Sequence, residues 1–505
     1  MDTEYIIVQA GGLGTRLKHL TSNRPKSLVP VNNLPILFHL FKRFPDKRFI
    51  VIGDYKFEVL ERYLRTFSDA EYILLKTGGK GNAAGVQKAL ELIPEKTPFM
   101  LVWSDLIVSE DFKLPDEIKS CYVGITDKFP CSWRFENGIL EKTASEKNGV
   151  AGCFVFDGKE RLRDLPVEGS LTRFLQNAGM EMTAMDMGNT VEAGTVDAIK
   201  KIDPGDNRCR PYNHMEFEKS RVTKTALTAE AEKLLDREKK WYKAVSAYGF
   251  KGIPEIYSYS PLIMQRINGD NIFRARLNDE QKKQTIDRLV TSLEELHGYE
   301  TVQADHFALE EDYYTKTLRR ICGIREVIPF TDREFIMING KKCRNVFFFE
   351  NELREDVHKH LFNAHFGPIH GDCTLTNTLI DDEGMIYFID ARGYFGKREL
   401  YGDIYYDWAK LYYSINGCFD RFNVKDFEFD ILKDEVKFSI CSSSWEHLTD
   451  YFLSRIEKPE LNRIKLIHAI VWLSLASHCW EDYDSMCLAF YNGLLLWDEW
   501  IGEYR

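Results

Sequence analysis

No two cysteines in this chain stand in CxxC spacing, and the 11 present fall at no zinc-binding interval. They read as reduced thiols, mostly in cores, of a cytoplasmic protein. A basic excess is also missing. The formal net charge is -11, so nothing attracts the chain as a whole to nucleic acid or an anionic membrane, and neither is expected as a partner. Any phosphate chemistry must then rest on local cations and metal ions. No apolar run is long enough to span a bilayer: Leu466 to Trp480 is interrupted by His468, Ser474 and His478 and reads as a core helix. The chain begins MDTEY, and the apolar residues that follow are needed for a strand, so no signal peptide is expected. Internal repeats and low-complexity tracts are absent. The first glycine cluster lacks the Gly-Lys-Ser/Thr of a Walker A loop and the GxGxxG of a dinucleotide fold.

What is there is enough apolar surface for several cores. A chain of 505 residues, 44% hydrophobic and 13% aromatic, suggests two to four domains. Tyr5 to Val8 form an interior strand that runs through Gln9 and Ala10 into Gly11, Gly12 and Gly14. Glycines there permit positive φ and close backbone approach, so peptide N–H groups can face phosphate oxygens. Thr15 follows, and Arg16 and Lys26 add charge and directed donors. Strand and helix patterns then alternate: an amphipathic stretch at Ile36 to Phe44, a strand at Arg48 to Ile52, a glycine turn around Gly81, and the strand Phe99 to Trp103. Alternation of this kind predicts a doubly wound, three-layer α/β domain with a parallel sheet, whose ligands sit beyond the carboxyl ends of the strands. Asp105 falls at such an end.

The strings GGLGTRL and RPKSLVPV resemble the nucleotidyltransferase family that activates sugar 1-phosphates and phosphocholine. The resemblance implies that the loop binds a triphosphate, that Arg16 and Lys26 act on it, and that Asp105 binds Mg²⁺. The family's second carboxylate, from a D-x-G-T segment, corresponds to Glu192 in Val191-Glu192-Ala193-Gly194-Thr195, a glutamate in place of aspartate. Glu168, ahead of SLTRFL, is implied near the acceptor. Lys142 is the first choice for the acceptor phosphate, with Lys147 the alternative.

Lys200 to Asn213, rich in Pro, Gly, Asp and Asn, marks a boundary, giving domains 1–205 and 206–505. The second half contains HGDCTLTNTLIDDEGMIYFIDARG, with Asp372, Asn377 and Asp390 at intervals that suit phosphoryl transfer: a carboxylate for the attacking hydroxyl, and oxygen ligands for Mg²⁺. This pattern resembles the aminoglycoside and choline kinase family, relatives of protein kinases. The resemblance implies a two-lobed α+β domain, a small lobe at about 212–267 and a large lobe at about 268–505. It makes Asp372 the base and Asn377 and Asp390 metal ligands, with His370 and Asp407 supporting the loop. Lys224 would pair with Glu238 and the ATP phosphates, and the lobes would join around Met264 to Ile267. The presumed phosphate-covering loop, Glu216 to Ser220, contains no glycine. Asp381 and Asp382 read as turn residues, and the aromatics Trp445, Trp472, Trp480, Tyr483, Trp497 and Trp500 as helix packing or, alternatively, as a pocket where aromatic faces and carboxylates receive a cationic or sugar substrate.

Together the two resemblances imply a bifunctional cytoplasmic enzyme with ATP, an NTP (CTP, UTP or GTP) and small molecules as substrates and Mg²⁺ in both halves. It would make a nucleotide-activated precursor for cell-surface polysaccharide. Two alternatives stand beside that: a choline kinase fused to a phosphocholine cytidylyltransferase, and a nucleotidyltransferase with a non-catalytic kinase-fold regulator. Oligomeric state has no signature in the sequence.

Overall fold

The computed structural model describes residues 3–204 and 213–505, and the division expected at 205/206 lies outside them. These residues form two compact units, one of 3–204 with Trp480–Asp484, the other of 213–479 with Ser485–Arg505.

The first unit is built outward from β1 (Tyr5–Gln9), whose β-branched run is buried on both faces. A strand of that kind needs partners on both edges. β2 (Arg48–Gly53), β3 (Tyr72–Lys76) and β4 (Phe99–Trp103) supply them in the parallel order β3–β2–β1–β4, with Ile7 opposite Ile50 and Leu101. Ile7, Ile50 and Leu101 point to one face and meet Val86, Ala89 and Leu90, together with Leu171 and Leu175. Alternate residues point to the other face, where Phe49 packs on Phe41. The crossover helices α1 (Ile36–Arg43), α2 (Phe57–Phe67) and α3 (Val86–Glu91) thus cover both sides of the sheet, giving three layers.

The sheet is mixed, which corrects the expectation of an all-parallel one. Beyond β4, β5 (Leu106–Ile107) starts a non-helical excursion through β6 (Cys121–Thr126), and the chain returns as β7 (Gly149–Phe156), antiparallel to both β4 and β6. A parallel return would need a crossover helix, and this stretch contains none. β8 (Met182–Asp186) extends the sheet beside β6, and β9 (Val191–Glu192) pairs antiparallel with β5.

The second unit opens with four antiparallel strands, β10 (Asn213–Phe217), β11 (Arg221–Ala226), β12 (Ile256–Tyr259) and β13 (Leu262–Gln265), in the order β10–β11–β13–β12. Against them lies α4 (Ala229–Tyr248), started by the Thr228 hydroxyl accepting from Ala231 N at 3.1 Å and stopped by Gly249 at φ 83°. The glycine-free segment is a tight turn, with Glu218 N donating to Arg221 O at 2.9 Å. The larger part is mainly helical: α5 (Asp279–Gly298), begun by an Asn278 capping box, α6 (Lys316–Ile324), the hairpin β14 (Thr378–Asp381) and β15 (Ile386–Phe388), α7 (Ile404–Ile415) and α8 (Leu461–Ala476).

α8 is the expected core helix, but it ends at Ala476, so Trp480 lies outside it. Trp445, Trp472, Trp497 and Trp500 are buried, and the indoles of Trp472, Trp497 and Trp500 donate to His468, Asp356 and Asn462. They are packing residues. Trp480 instead packs in the first unit on Phe38 and Phe67. Seven of the ten described cysteines are buried. Among the described residues no helix is long and apolar enough to cross a membrane.

Since Ile7 is fully buried at the centre of β1, Ile7→Ala should cost about 2–5 kcal/mol of first-unit stability. Urea unfolding followed by limited proteolysis of 3–204 checks this, and an unshifted midpoint would contradict the placement of the core.

Candidate active sites

In the first unit the loop after β1 is shaped by two glycines for different reasons. Gly14 holds φ 65°, and a Cβ there would lie 2.9 Å from Thr21 Cγ2. Gly11 has no positive φ; it is small because a Cβ would come 3.0 Å from Asp54 Oδ2, the close approach that the sequence allowed for. A Cβ on Gly12 would meet only Lys26 Cε, at 4.0 Å. Thr15 and Arg16 are exposed on the short helical turn Thr15–Thr21.

The loop's cations meet two carboxylates. Lys26 Nζ lies 3.0 Å from Asp105 Oδ2, and Arg16 Nη2 lies 2.9 Å from Glu192 Oε1 and 3.9 Å from Asp105. The carboxylates arrive from paired strands: Glu192 stands opposite Leu106, and Ala193 N donates to Asp105 O at 2.8 Å. Backbone pairing, not side-chain length alone, brings the glutamate into place. Asp105 is buried, and its Oδ1 accepts no hydrogen bond among the described residues. An acceptor-only oxygen in such a place is costly unless a cation meets it, so this donor set suits a hard divalent ion.

Gln9 donates through Nε2 to Asn82 O, tying the end of β1 to the second glycine loop. In that loop Gly81 abuts Gly169, since Ala83 N donates to Gly169 O and Gly169 N to Lys80 O at 3.0 and 2.8 Å. Ala10 N donates to Ile52 O at 2.8 Å, which seats the start of the first loop on β2. Glu168 is exposed and lines a cleft of about 180 Å³ with Thr77, Gly78, Gly85 and Lys88. Lys142 and Lys147 are exposed; Glu141, beside Lys142, pairs with Arg134 at 2.8 Å.

In the second unit Lys224, on β11, is buried and bonded to Glu238 of α4 at 2.7 Å and to Asp390. Its two carboxylate neighbours outweigh burial and raise its pKa, keeping it charged. Asp390 follows β15, and Asn377 precedes β14. Asn377 Nδ2 donates to Asp372 Oδ2 at 2.8 Å and to its carbonyl at 3.0 Å. The loop carrying Asp372 is braced by buried Asp407 in the first turn of α7, which accepts from His370 N at 2.9 Å and Gly371 N at 2.7 Å. Burial alone would raise the Asp407 carboxyl; hydrogen bonding and charge from His297 reverse this and lower it. His370, buried, reaches Ile389 O at 3.1 Å and accepts from Asp372 N through Nδ1 at 3.1 Å. Asp372, Asn377, Asp390, Lys224 and Glu238 are therefore linked by contact or by the hairpin between them. The oxygens of Asp390 and Asn377 are of the kind a hard ion takes alongside phosphates. Asp381 accepts from Glu383 N and Met385 N, as a turn residue does. Met264 and Gln265 lie in β13, ahead of the link to the helical part.

Two residues escape the sequence reading. Asp54, after β2, accepts from Thr77 N and Gly78 N at 2.9 and 2.7 Å and fixes one glycine loop to the other. Lys410, buried on α7, places Nζ 2.8 Å from Asp372 Oδ1. Each had a faint signal: an aspartate at a strand end, and a lysine three residues past Asp407 on the same helix face.

Two stretches of the chain match models of known families. Residues 5–117 match the model of the nucleotidyl transferase family, and residues 216–421 that of the phosphotransferase enzyme family. The "Bifunctional protein GlmU" of Methanococcus maripaludis is 34% identical over 211 residues, 39% of this chain and 46% of that protein. The ribitol-5-phosphate cytidylyltransferase of Streptococcus pneumoniae is 30% identical over 120 residues, 22% of this chain and 48% of that protein. The chain spans less than half the length of both. Among solved structures, the inositol-1-phosphate CTP transferase from T. maritima aligns over 40% of this chain and 97% of its own, with 18% identity and a TM-score of 0.34.

Asp54→Ala should free the Thr77 and Gly78 amides and raise hydrogen exchange in 75–85 by about tenfold or more while β1 stays protected. Exchange followed by mass spectrometry reads this directly; unchanged protection in 75–85 would remove Asp54 from the loop's support.

Proposed function

We propose, for a chain that joins a nucleotidyl transferase region to a phosphotransferase region, that the second activity makes the acceptor used by the first. The observation that carries this reading is the presence on one chain of two carboxylate-and-lysine constellations, Lys26–Asp105 and Lys224–Asp390. Each is of the type that handles crowded phosphate charge.

In the phosphotransferase, with a division from the first domain near residue 205, Lys224 binds the ATP phosphates and Glu238 orients it. Asp372 orients an acceptor hydroxyl and takes its proton as the oxygen bonds to the γ-phosphorus. The bond from that phosphorus to its bridging oxygen breaks, and ADP leaves. In the nucleotidyl transferase, amides of the loop 10–15 and Arg16 and Lys26 bind the triphosphate. Gln9 and Gly81 border the nucleotide, and Glu168 and Lys142 are the candidate acceptor contacts. An oxygen of the phosphorylated acceptor bonds to the α-phosphorus of an NTP and pyrophosphate leaves. Asp105 and Glu192, and likewise Asn377 and Asp390, would hold Mg²⁺, which when bound neutralises phosphate charge. The product is a nucleotide-activated compound of the kind used for cell-surface polysaccharide, made in the cytoplasm from CTP, UTP or GTP. Support for a cytidylyl or related transfer comes from the names of the relatives matched. The intact Lys224–Glu238 pair favours catalysis over a purely regulatory second domain.

Two variants should separate the half-reactions. Asp372→Asn should lower ADP formation about 10²-fold or more while leaving pyrophosphate release from a supplied phosphorylated acceptor intact, and Asp105→Ala should do the converse. Coupled assays for ADP and pyrophosphate over a panel of NTPs and acceptors read both. Undiminished ADP formation by Asp372→Asn would end the phosphotransferase assignment.

A further inference from the structure

Beside Asp372 the second unit gathers positive charge that its own carboxylates do not balance. Lys410 touches Asp372 from α7. Arg392, two residues past Asp390, packs on the other side of the loop, its Cβ 3.0 Å from where a Cβ on Gly371 would sit. Arg392 donates to Asp312 Oδ1 at 2.7 Å and to the Tyr406 hydroxyl at 3.0 Å. Lys316, on α6, shares that same Asp312. Arg320, one turn further along α6, has no carboxylate partner among the described residues and is anchored through Nη1 to the Ser474 hydroxyl at 2.6 Å. The Tyr394 ring is flanked by two guanidiniums, Arg237 and Arg392, each 4.3 Å from its centroid. Among the described residues five basic groups thus face two carboxylates, Asp312 and Asp372; burial and the neighbouring Arg392 and Arg320 push the Lys316 pKa well down, and the next acid, Glu311, is paired with Arg319 at 2.8 Å.

A fold seldom leaves half-buried guanidinium groups without counter-charge, because desolvation then goes uncompensated. Burial, and then the neighbouring Arg392, lower the pKa of Arg320. Tyr394, which burial alone would raise, is lowered by Arg392, Arg237 and Arg320, the signature of a local excess of positive charge. The same excess would repel a quaternary ammonium, and among the described residues Asp312 and Asp372 already hold cations.

We propose that this cationic cluster forms a pocket that receives an anionic group, a carboxylate or a phosphonate or phosphate, carried by the same small molecule whose hydroxyl meets Asp372. This rests on the assignment of Asp372 as the phosphotransferase base and narrows its acceptor to an anionic hydroxy compound, in place of a neutral sugar or an amino alcohol. Arg320 is the specificity-determining group, able to grip the anion with two parallel N–H donors.

The test has two arms on the full chain. First, ADP release is measured with glycolate, glycerate and 2-hydroxyethylphosphonate against ethylene glycol and choline. The pocket predicts turnover of an anionic member at least about tenfold above the neutral and cationic ones. Arg320→Gln should then raise its KM about tenfold, with the KM for ATP unchanged and Arg320→Lys partly restoring it. Second, inorganic phosphate is titrated calorimetrically into the wild type and Arg320→Gln, which needs no turnover; binding about tenfold weaker in the variant is expected. Arg320-dependent phosphate binding with no ADP from any compound would uphold the pocket and overturn the phosphotransferase reading. ADP from choline or ethylene glycol in preference to the anions, with phosphate binding indifferent to Arg320→Gln, would overturn the pocket and leave that reading intact.

Discussion

An ammonium group taken out of water must keep a counter-charge, and both candidate sites are arranged around that requirement. Lys224 is buried between Glu238 and Asp390, Lys26 is held at 3.0 Å by Asp105, and Lys410 by Asp372 at 2.8 Å. In the protein alone each pair satisfies itself. In the proposed reactions an arriving polyphosphate would give the lysine a second anion and release the carboxylate toward a cation. The surrounding fold serves these pairs: β1 and β4 set the loop of Lys26 beside Asp105, the β14–β15 hairpin sets Asp390 under Lys224, and Asp407 clamps the backbone of the loop carrying Asp372.

Strand ends were the most legible feature of the sequence. Asp105, Asp372, Asn377 and Asp390 follow or flank short apolar runs, and the strong local pattern of those runs survives without knowledge of the rest of the chain. Glu192 was readable only through its resemblance to a motif. Its true support, pairing opposite Leu106, joins segments far apart in sequence. The direction of β7 was hidden for a related reason, since a strand buried on both faces has the same composition whether it runs parallel or antiparallel. The glycines illustrate a finer limit: sequence indicates that a side chain is excluded at Gly11 and Gly14, whereas only the folded loop separates positive φ at one from close approach of Asp54 at the other.

The cationic surroundings of Asp372 had no periodicity to betray them. Arg237, Lys316, Arg320, Arg392 and Lys410 come from α4, α6, the segment after β15 and α7, and each alone resembles a solvated surface charge. Their convergence gives the phosphotransferase half an acceptor preference that its motif residues do not express. A motif fixes the reaction, while the charge around it selects the molecule.

The central claim is that one chain carries out two phosphoryl chemistries in sequence, and transfer of label tests it most directly. The full chain would be incubated with γ-labelled ATP, unlabelled NTPs, Mg²⁺ and an anionic hydroxy acceptor, and the nucleotide-linked product isolated. The account predicts label in that product, in the phosphate adjoining the acceptor and absent from the nucleoside-side phosphate. Label confined to ATP and inorganic phosphate, or a nucleotide-linked product formed without it, would contradict the account.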